Sequence, residues 1–425
     1  MRCVLAVDRV ISGDPGQEYF EKGPLYVVYD DETGVIEGMS DTCPEGDIKI
    51  IRFPPNCTLL PGFIDCHVHL TIFSDDYQVD YLRLSSADKA LRGLKAAQGL
   101  LQAGFTTIRS AGDADDAYPS FSIAKSIAEG IFEGPRIVGA GHYISVTGGG
   151  GDLNFIAAEH TSSCPCNLSD GLIANGKEEM VLAVRKEIKY GSDWIKLLVT
   201  GAFMSASTGP KDSPENTHFS DEELIACVEE ARRRQVPVMA HAHGADGIVR
   251  AARLGCRSIE HASFIDQDGI DACLAADCWI VPTFLVGEYY NEAGSPSHAQ
   301  ERMIELQRNT NARYYSCIQS AVKANVKVAL GSDFVGWDPK ITAREFRHLV
   351  ELGQMSPHDA ILAGTSSAAE LLGLPQLGRI ASNCVADMVV VRGDPISDIS
   401  ALEKDVVFVM KSGKVVRNDL EVTAC

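Results

Sequence analysis

The chain has 425 residues, of which 45% are hydrophobic and 23% charged, with a formal net charge of -20. That is the composition of a globular protein with ample material for a large core. The acidic balance argues against nucleic acid and anionic membrane surfaces as partners, since both reward basic patches, and no apolar run approaches the ~20 residues that span a bilayer.

The N-terminal stretch MRCVLAVDRVISGD turns polar before a signal-peptide core forms. Thirteen cysteines, an odd number scattered through apparent strands and helices, read as reduced thiols. The tightest cluster is Cys164-Pro-Cys166. A cytoplasmic protein is expected.

Residues 1–58 form short β-like runs broken by turns, CVLAVDRVISG, GPLYVVYDDETGVIEG and DIKIIRF, with Asp31-Glu-Thr-Gly34 as a hairpin turn. From Leu59 the texture changes to alternating strand and helix. Eight apolar strand candidates follow: LLPGFIDCHVH, TTIRSAG from Thr106, PRIVGAG from Pro135, WIKLLVT from Trp194, VPVMAHA from Val236, SIEHASF from Ser258, WIVPTF from Trp279 and VKVALGSDF from Val326. Amphipathic helices lie between them. SADKALRGLKAAQGLLQAG and KEEMVLAVRKEIKYG end in C-cap glycines, and SDEELIACVEEARRRQ opens with a serine cap and a glutamate three residues later. This alternation predicts a parallel (β/α)8 TIM barrel over residues 59–376, with a doubly wound sheet as the runner-up. Two loops, His142 to Gly176 and Thr200 to Phe219, are long enough to act as lids over the barrel mouth. Residues 377–425 turn β-like again, with a hairpin turn at Ser412-Gly-Lys414, so both chain ends read as parts of one small sheet domain.

Chemistry-bearing residues stand at the predicted strand ends. His67 and His69 are two apart, so on a strand they share a face, and two neutral imidazoles on one face can hold a metal ion. Lys196 lies in strand four, His241 and His243 end strand five, His261 is in strand six and Asp333 ends strand eight. Each alone has a plain alternative: a core histidine bonded to backbone, a lysine reaching for solvent, an aspartate capping a helix. In a barrel all these ends meet at one mouth, and together they point to a metal site.

PGFIDCHVH, HAHG, IEHASF, LGSDF and NCVADMVVV…VMKSGKVV resemble the amidohydrolase superfamily, metal-dependent barrel hydrolases with a small β-sandwich built from both termini. The resemblance covers essentially the whole chain. SDWIKLLVTGAFMS and MAHAHGADGIVRAARLG are most similar to the branch of Xaa-Pro dipeptidases, ochratoxinase-type amidases and imidazolonepropionase-like proteins. The resemblance implies two divalent metal ions, zinc by expectation. His67, His69 and Asp333 would hold the more buried ion and His241 and His261 the other. Lys196 would bridge both as a CO2-derived carbamate, since a desolvated lysine is more easily neutral and able to capture CO2.

The implied reaction is hydrolysis of an amide bond in a small dipeptide-like or N-acyl amino acid by a metal-bridging hydroxide, with Asp333 carrying the proton. Hydrolysis of a cyclic amide or lactone, decarboxylation, or a non-catalytic scaffold on the same barrel are the alternatives. His241 directly follows the apolar run and is expected as ligand. His243, one step further out, is expected to reach the substrate carbonyl. Arg109, His142 and Tyr143 are the other substrate-binding candidates, and a homo-oligomer is expected. Two departures from the branch stand out. Ser110 follows Arg109 where an aspartate is usual, and Gly150 in TGGGGD replaces a histidine that would face the substrate.

Overall fold

The structure, a computed structural model, describes residues 1–16, 23–46, 48–73, 77–153, 156, 169–203, 213–293 and 298–420. The Cys164–Cys166 cluster lies outside these residues, as do parts of both long loops. The described cysteines are free thiols.

Two sheets are built from the chain ends. A four-stranded sheet joins Arg2–Val7, Leu25–Asp30, Val35–Ser40 and Lys49–Arg52. A five-stranded sheet combines Arg9–Val10 and Cys57–Pro61 with Met388–Arg392, Val406–Lys411 and Lys414–Asn418. Leu5, Val27 and Ile36 of the first sheet pack with Leu59, Val390 and Phe408 of the second in one buried cluster, which makes a β-sandwich of both termini. Cys57–Pro61 runs antiparallel to Met388–Arg392, so the C-terminal strands cannot leave without exposing the N-terminal ones. The predicted hairpins are present. Gly34 turns at φ +69, and Ser412 and Gly413 take φ 49 and 74, the paired left-handed residues of a type I′ turn.

The remainder is a (β/α)8 barrel. Its parallel strands are Phe63–Val68, Phe105–Ser110, Arg136–Gly139 with Tyr143–Ser145, Ile195–Leu198, Val238–Ala242, Ser258–His261 and Trp279–Val281. The segment 328–334 closes the ring through parallel bridges Ile280 to Val328 and Val68 to Phe334. Two predicted strands are modified. The third breaks at residues 140–142, its first half pairing with strand two and its second with strand four. The eighth is reduced to isolated bridges at Val328 and Phe334, and between them Asp333 turns into the left-handed region at φ 56, outside extended geometry.

The helices end where their sequences say. Ser220 and Glu223 form a reciprocal capping box, and Gly191 at φ 115 closes Gly176–Tyr190. Among the described residues no helix is long and apolar enough to cross a membrane.

Candidate active site

His67 and His69 leave the end of the first strand on one face, as alternation requires, and both turn Nε2 toward Asp333. Each Nε2 lies 3.4 Å from Asp333 Oδ1. Their outer nitrogens are committed. His67 Nδ1–H donates to Glu260 at 2.7 Å, and His69 Nδ1–H donates to the Gly112 carbonyl at 2.8 Å. A carboxylate and a carbonyl only accept, so both inward Nε2 atoms carry a lone pair. His67 Nε2 is buried with no hydrogen-bond partner.

The other histidines repeat the arrangement. His241 Nε2–H donates to the Gly201 carbonyl at 3.1 Å, which leaves Nδ1 as its open nitrogen. His261 Nδ1 is tied to Thr283 Oγ1, and His243 Nδ1 to Ser263 Oγ, each at 2.7 Å. Ligand-capable atoms of His241, His243 and His261 lie within 4.8 Å of one another, and so do those of His67, His261 and Asp333. His261 belongs to both groups and joins them.

Burial sets the charge states. It drives the imidazoles of His67, His241 and His261 well below the ordinary histidine value, His69 down to about 4 and His243 to about 3. All five are therefore neutral near pH 7, the form that binds metals. Lys196 is buried among them. Burial lowers its ammonium, and the carboxylates of Glu260 and Asp333 pull it partly back. Burial raises the Asp333 carboxyl, and Lys196 opposes it.

Backbone strain gathers here. His261, Ala262 and Asp333 take φ 69, 50 and 56. Each non-glycine residue in the left-handed region costs on the order of 1–3 kcal/mol and persists only where its surroundings demand it. In strand six the strain is useful. Ser258 and Glu260 face the barrel interior together, so strict alternation sends His261 the other way. The left-handed turn at His261 restores it to the mouth, with its ring 5.0 Å from that of His67.

A second layer supports the first. Asp65 accepts from the backbone N–H of His67 and of Ser332 at 3.0 and 3.1 Å and from Ser332 Oγ at 2.6 Å, pinning strand one to the segment that carries Asp333. Glu260 is the hub of the layer and was not singled out from sequence. It accepts from His67, from Ser258 Oγ at 2.5 Å and from Arg109 Nη2 at 2.9 Å.

This overturns Arg109 as a substrate-binding group. Its guanidinium is fully buried, spent on Cys66, Ser258 and Glu260, and stacked over Trp194 at 4.5 Å. His142 is corrected likewise. It is buried against Tyr118 with Nδ1 on Glu187 at 2.9 Å and does not border the cavity. Tyr143 does border it, with its hydroxyl donating to Asp170 at 2.8 Å.

The ring of polar groups forms the floor of a cavity of about 980 Å³, its open mouth included. Tyr77, Phe203, Tyr290 and Tyr314 supply aromatic wall, while Gln307, Thr310 and Asn311 of the helix His298–Lys323 supply neutral polar wall. An apolar cleft with a few convergent polar groups is the usual form of a small-molecule site.

A family model described as the amidohydrolase family matches residues 58–416. The chain belongs to the amidohydrolase family. This amidohydrolase is 34% identical over 373 residues to ochratoxinase of Aspergillus niger, the match covering 84% of this chain and 75% of that protein. The crystal structure of a Xaa-Pro dipeptidase with methionine bound in the active site aligns with a TM-score of 0.86 at 29% identity, over 98% of this chain and all 100% of that one. A. niger ochratoxinase itself aligns with a TM-score of 0.84 at 28% identity, over 98% and 96% of the two chains. The branch resemblance drawn from SDWIKLLVTGAFMS and MAHAHGADGIVRAARLG is thereby borne out, and the amidohydrolase is an enzyme acting on carbon–nitrogen bonds.

Proposed function

We propose that this amidohydrolase is a binuclear metal-dependent hydrolase that cleaves the amide bond of a dipeptide-like or N-acyl amino acid substrate. The observation that carries the reading is the orphaned Nε2 of His67. A buried lone pair without a hydrogen-bond partner is costly, and a cation shared with His69 and Asp333 would satisfy it. His241 and His261 would hold a second ion. Lys196 would bridge the two after its neutral amine adds to CO2, giving a carbamate and releasing one proton. Imidazole and carboxylate donors suit zinc. Bound there, two divalent cations would polarise the scissile carbonyl and acidify the attacking water.

The chain's own groups do the rest. Asp333 takes the proton that the attacking water loses as the C–O bond forms, and hands it to the leaving nitrogen as the C–N bond breaks. His243 Nδ1 is held by Ser263 Oγ and the ring borders the cavity, so Nε2–H is the nitrogen left to donate to the carbonyl oxygen as negative charge develops. The aromatic walls exclude water from the reacting atoms. Ochratoxinase and the Xaa-Pro dipeptidase, similar over most of their length, support the choice of an amide bond.

The test is metal analysis of the purified protein combined with a panel of N-acyl amino acids and Xaa-Pro dipeptides. About two divalent ions per chain are expected, with activity lost on chelation and restored by the metal. A metal-free protein with full activity, or a metal-loaded one that opens only lactones, overturns the proposal.

A further inference from the structure

Residues 148–151 are four consecutive glycines, and three of them have a local reason. Gly148 sits at φ +77, where L side chains are strained. A Cβ on Gly149 would lie 2.6 Å from Ser145 Oγ, which is held in place by the N–H of Gly151. A Cβ on Gly151 would lie 3.0 Å from Ser145 Cβ and 3.1 Å from the Tyr143 ring. Gly150 has no such reason. Its φ lies outside the left-handed range, and among the described residues a Cβ there would meet only Leu198 Cδ1 at 3.5 Å and Ala202 Cβ at 3.9 Å, which are ordinary contacts. Yet glycine costs more chain entropy on folding than any residue with a side chain. Packing against the described residues therefore does not account for a glycine at this position.

Its location does. Gly150 borders the cavity, as do Leu198 and Ala202. Leu198 follows Lys196 by two residues on the same strand, so it shares that inward face. Any side chain at position 150 would grow into space beside the floor of the site. We infer that Gly150, Leu198 and Ala202 form an apolar subsite that admits a large apolar substituent, aromatic or branched, on one side of the scissile amide. Gly150 is then a specificity-determining residue, set by size. The inference rests on the amide hydrolase reading and deepens it.

Three probes decide it: N-acetyl-L-alanine, N-naphthoyl-L-alanine and N-acetyl-L-naphthylalanine, which place the bulk on neither side, on the acyl side and on the amine side. Each is measured for turnover and for calorimetric binding with the metal-loaded enzyme, its Gly150→Leu variant and its Gly150→Ala variant. Alanine displaces no atom, so that variant tests the idea should leucine disturb the loop. In the wild type one bulky probe should exceed the small one in kcat/KM and in affinity. Gly150→Leu should lower that bulky-to-small ratio by at least about tenfold, the penalty of a misfit of one methylene or more in an apolar pocket. Gly150→Ala should lower it less, with metal content unchanged and the melting temperature no lower. Size selection in binding without any cleavage would sink the hydrolase reading and keep the subsite. Cleavage of all three probes at ratios unmoved by either variant would keep the hydrolase and overturn the subsite.

Discussion

Glu260→Gln separates a group that merely fills the barrel from one that aims a metal ligand. The wild-type carboxylate is 0% exposed and takes hydrogen bonds from Arg109, Ser258 and His67. The substitution removes its charge and leaves the Arg109 guanidinium buried, with neutral acceptors and the Trp194 ring as company. Breaking a buried pair from one side costs about 3–5 kcal/mol. At about 2.1 cal/mol/K per residue over 425 residues, the unfolding entropy is ~0.9 kcal/mol/K, so the melting temperature should fall by ~3–6 °C. The amide also offers His67 Nδ1 an N–H as readily as a carbonyl, so the tautomer with a free Nε2 is no longer enforced. Losing such an outer partner typically weakens metal binding by about 10–100-fold. Chelator competition and thermal melts read the two effects separately. A double variant, Arg109→Met with Glu260→Leu, removes both charges together. It should recover most of the stability, because apolar groups of similar volume replace buried ion pairs at little cost, and should leave metal affinity low. Wild-type metal affinity in Glu260→Gln would refute the reasoning, since His67 would then be aimed by its packing alone.

Four further outcomes are expected. Lys196→Ala should lose metal and activity, with short carboxylic acids plus added metal restoring part of both. Asp333→Asn should keep the fold and lose turnover by orders of magnitude, because an amide cannot carry the proton; turnover within a few-fold of wild type would remove Asp333 from that role. His241→Ala should lower metal content, whereas His243→Ala should keep both metals and lower kcat or raise KM, and the reverse result exchanges their roles. In the chelated protein, melting temperature should fall with acid. The site histidines have folded values depressed by burial, so the stability they contribute is whole above pH ~6.5 and drains toward pH 4, the folded value of His69. Asp65, Asp113 and Asp170, raised to about 6 by burial, act oppositely, their contribution being lost as pH rises to that value. His69→Asn should flatten the acid limb of a melting series.

What the sequence made legible, and what it hid, divides along one physical line. Periodicity reports which face a side chain takes. His67 and His69 share a face with Asp65, and the prediction that both look into the barrel needs nothing else. Periodicity does not report depth along the barrel axis. Arg109 and Lys196 are both basic residues near the ends of inward-facing strands, and by alternation they are equivalent. In the structure Lys196 borders the cavity while Arg109 lies beneath it, tied to Glu260 and Cys66. The difference comes from the neighbours: Glu260 on strand six and Trp194 before strand four give Arg109 a buried partner and a ring to lie on. Those contacts join residues 85 to 151 positions apart, and no local window sees them.

His261 shows the second limit. It follows Glu260 directly, so alternation would place one of the two away from the site, yet both meet His67. The resolution is a left-handed backbone at His261 and Ala262, neither of which is a glycine that would announce it. The end of the eighth segment shows the same device, since Asp333 stands at the mouth outside extended geometry. At all three positions the backbone adopts a costly conformation where side chains must converge on one point. Local propensity should therefore be least informative within a residue or two of the groups that do the chemistry. His261→Gly gives a direct check: if the left-handed turn is imposed by the site, removing the Cβ relieves strain and offsets part of the stability lost with the imidazole, so the variant should melt higher than His261→Ala in chelated protein. A lower melting temperature for His261→Gly would mean that the turn is not strained and that the alternation was broken for another reason.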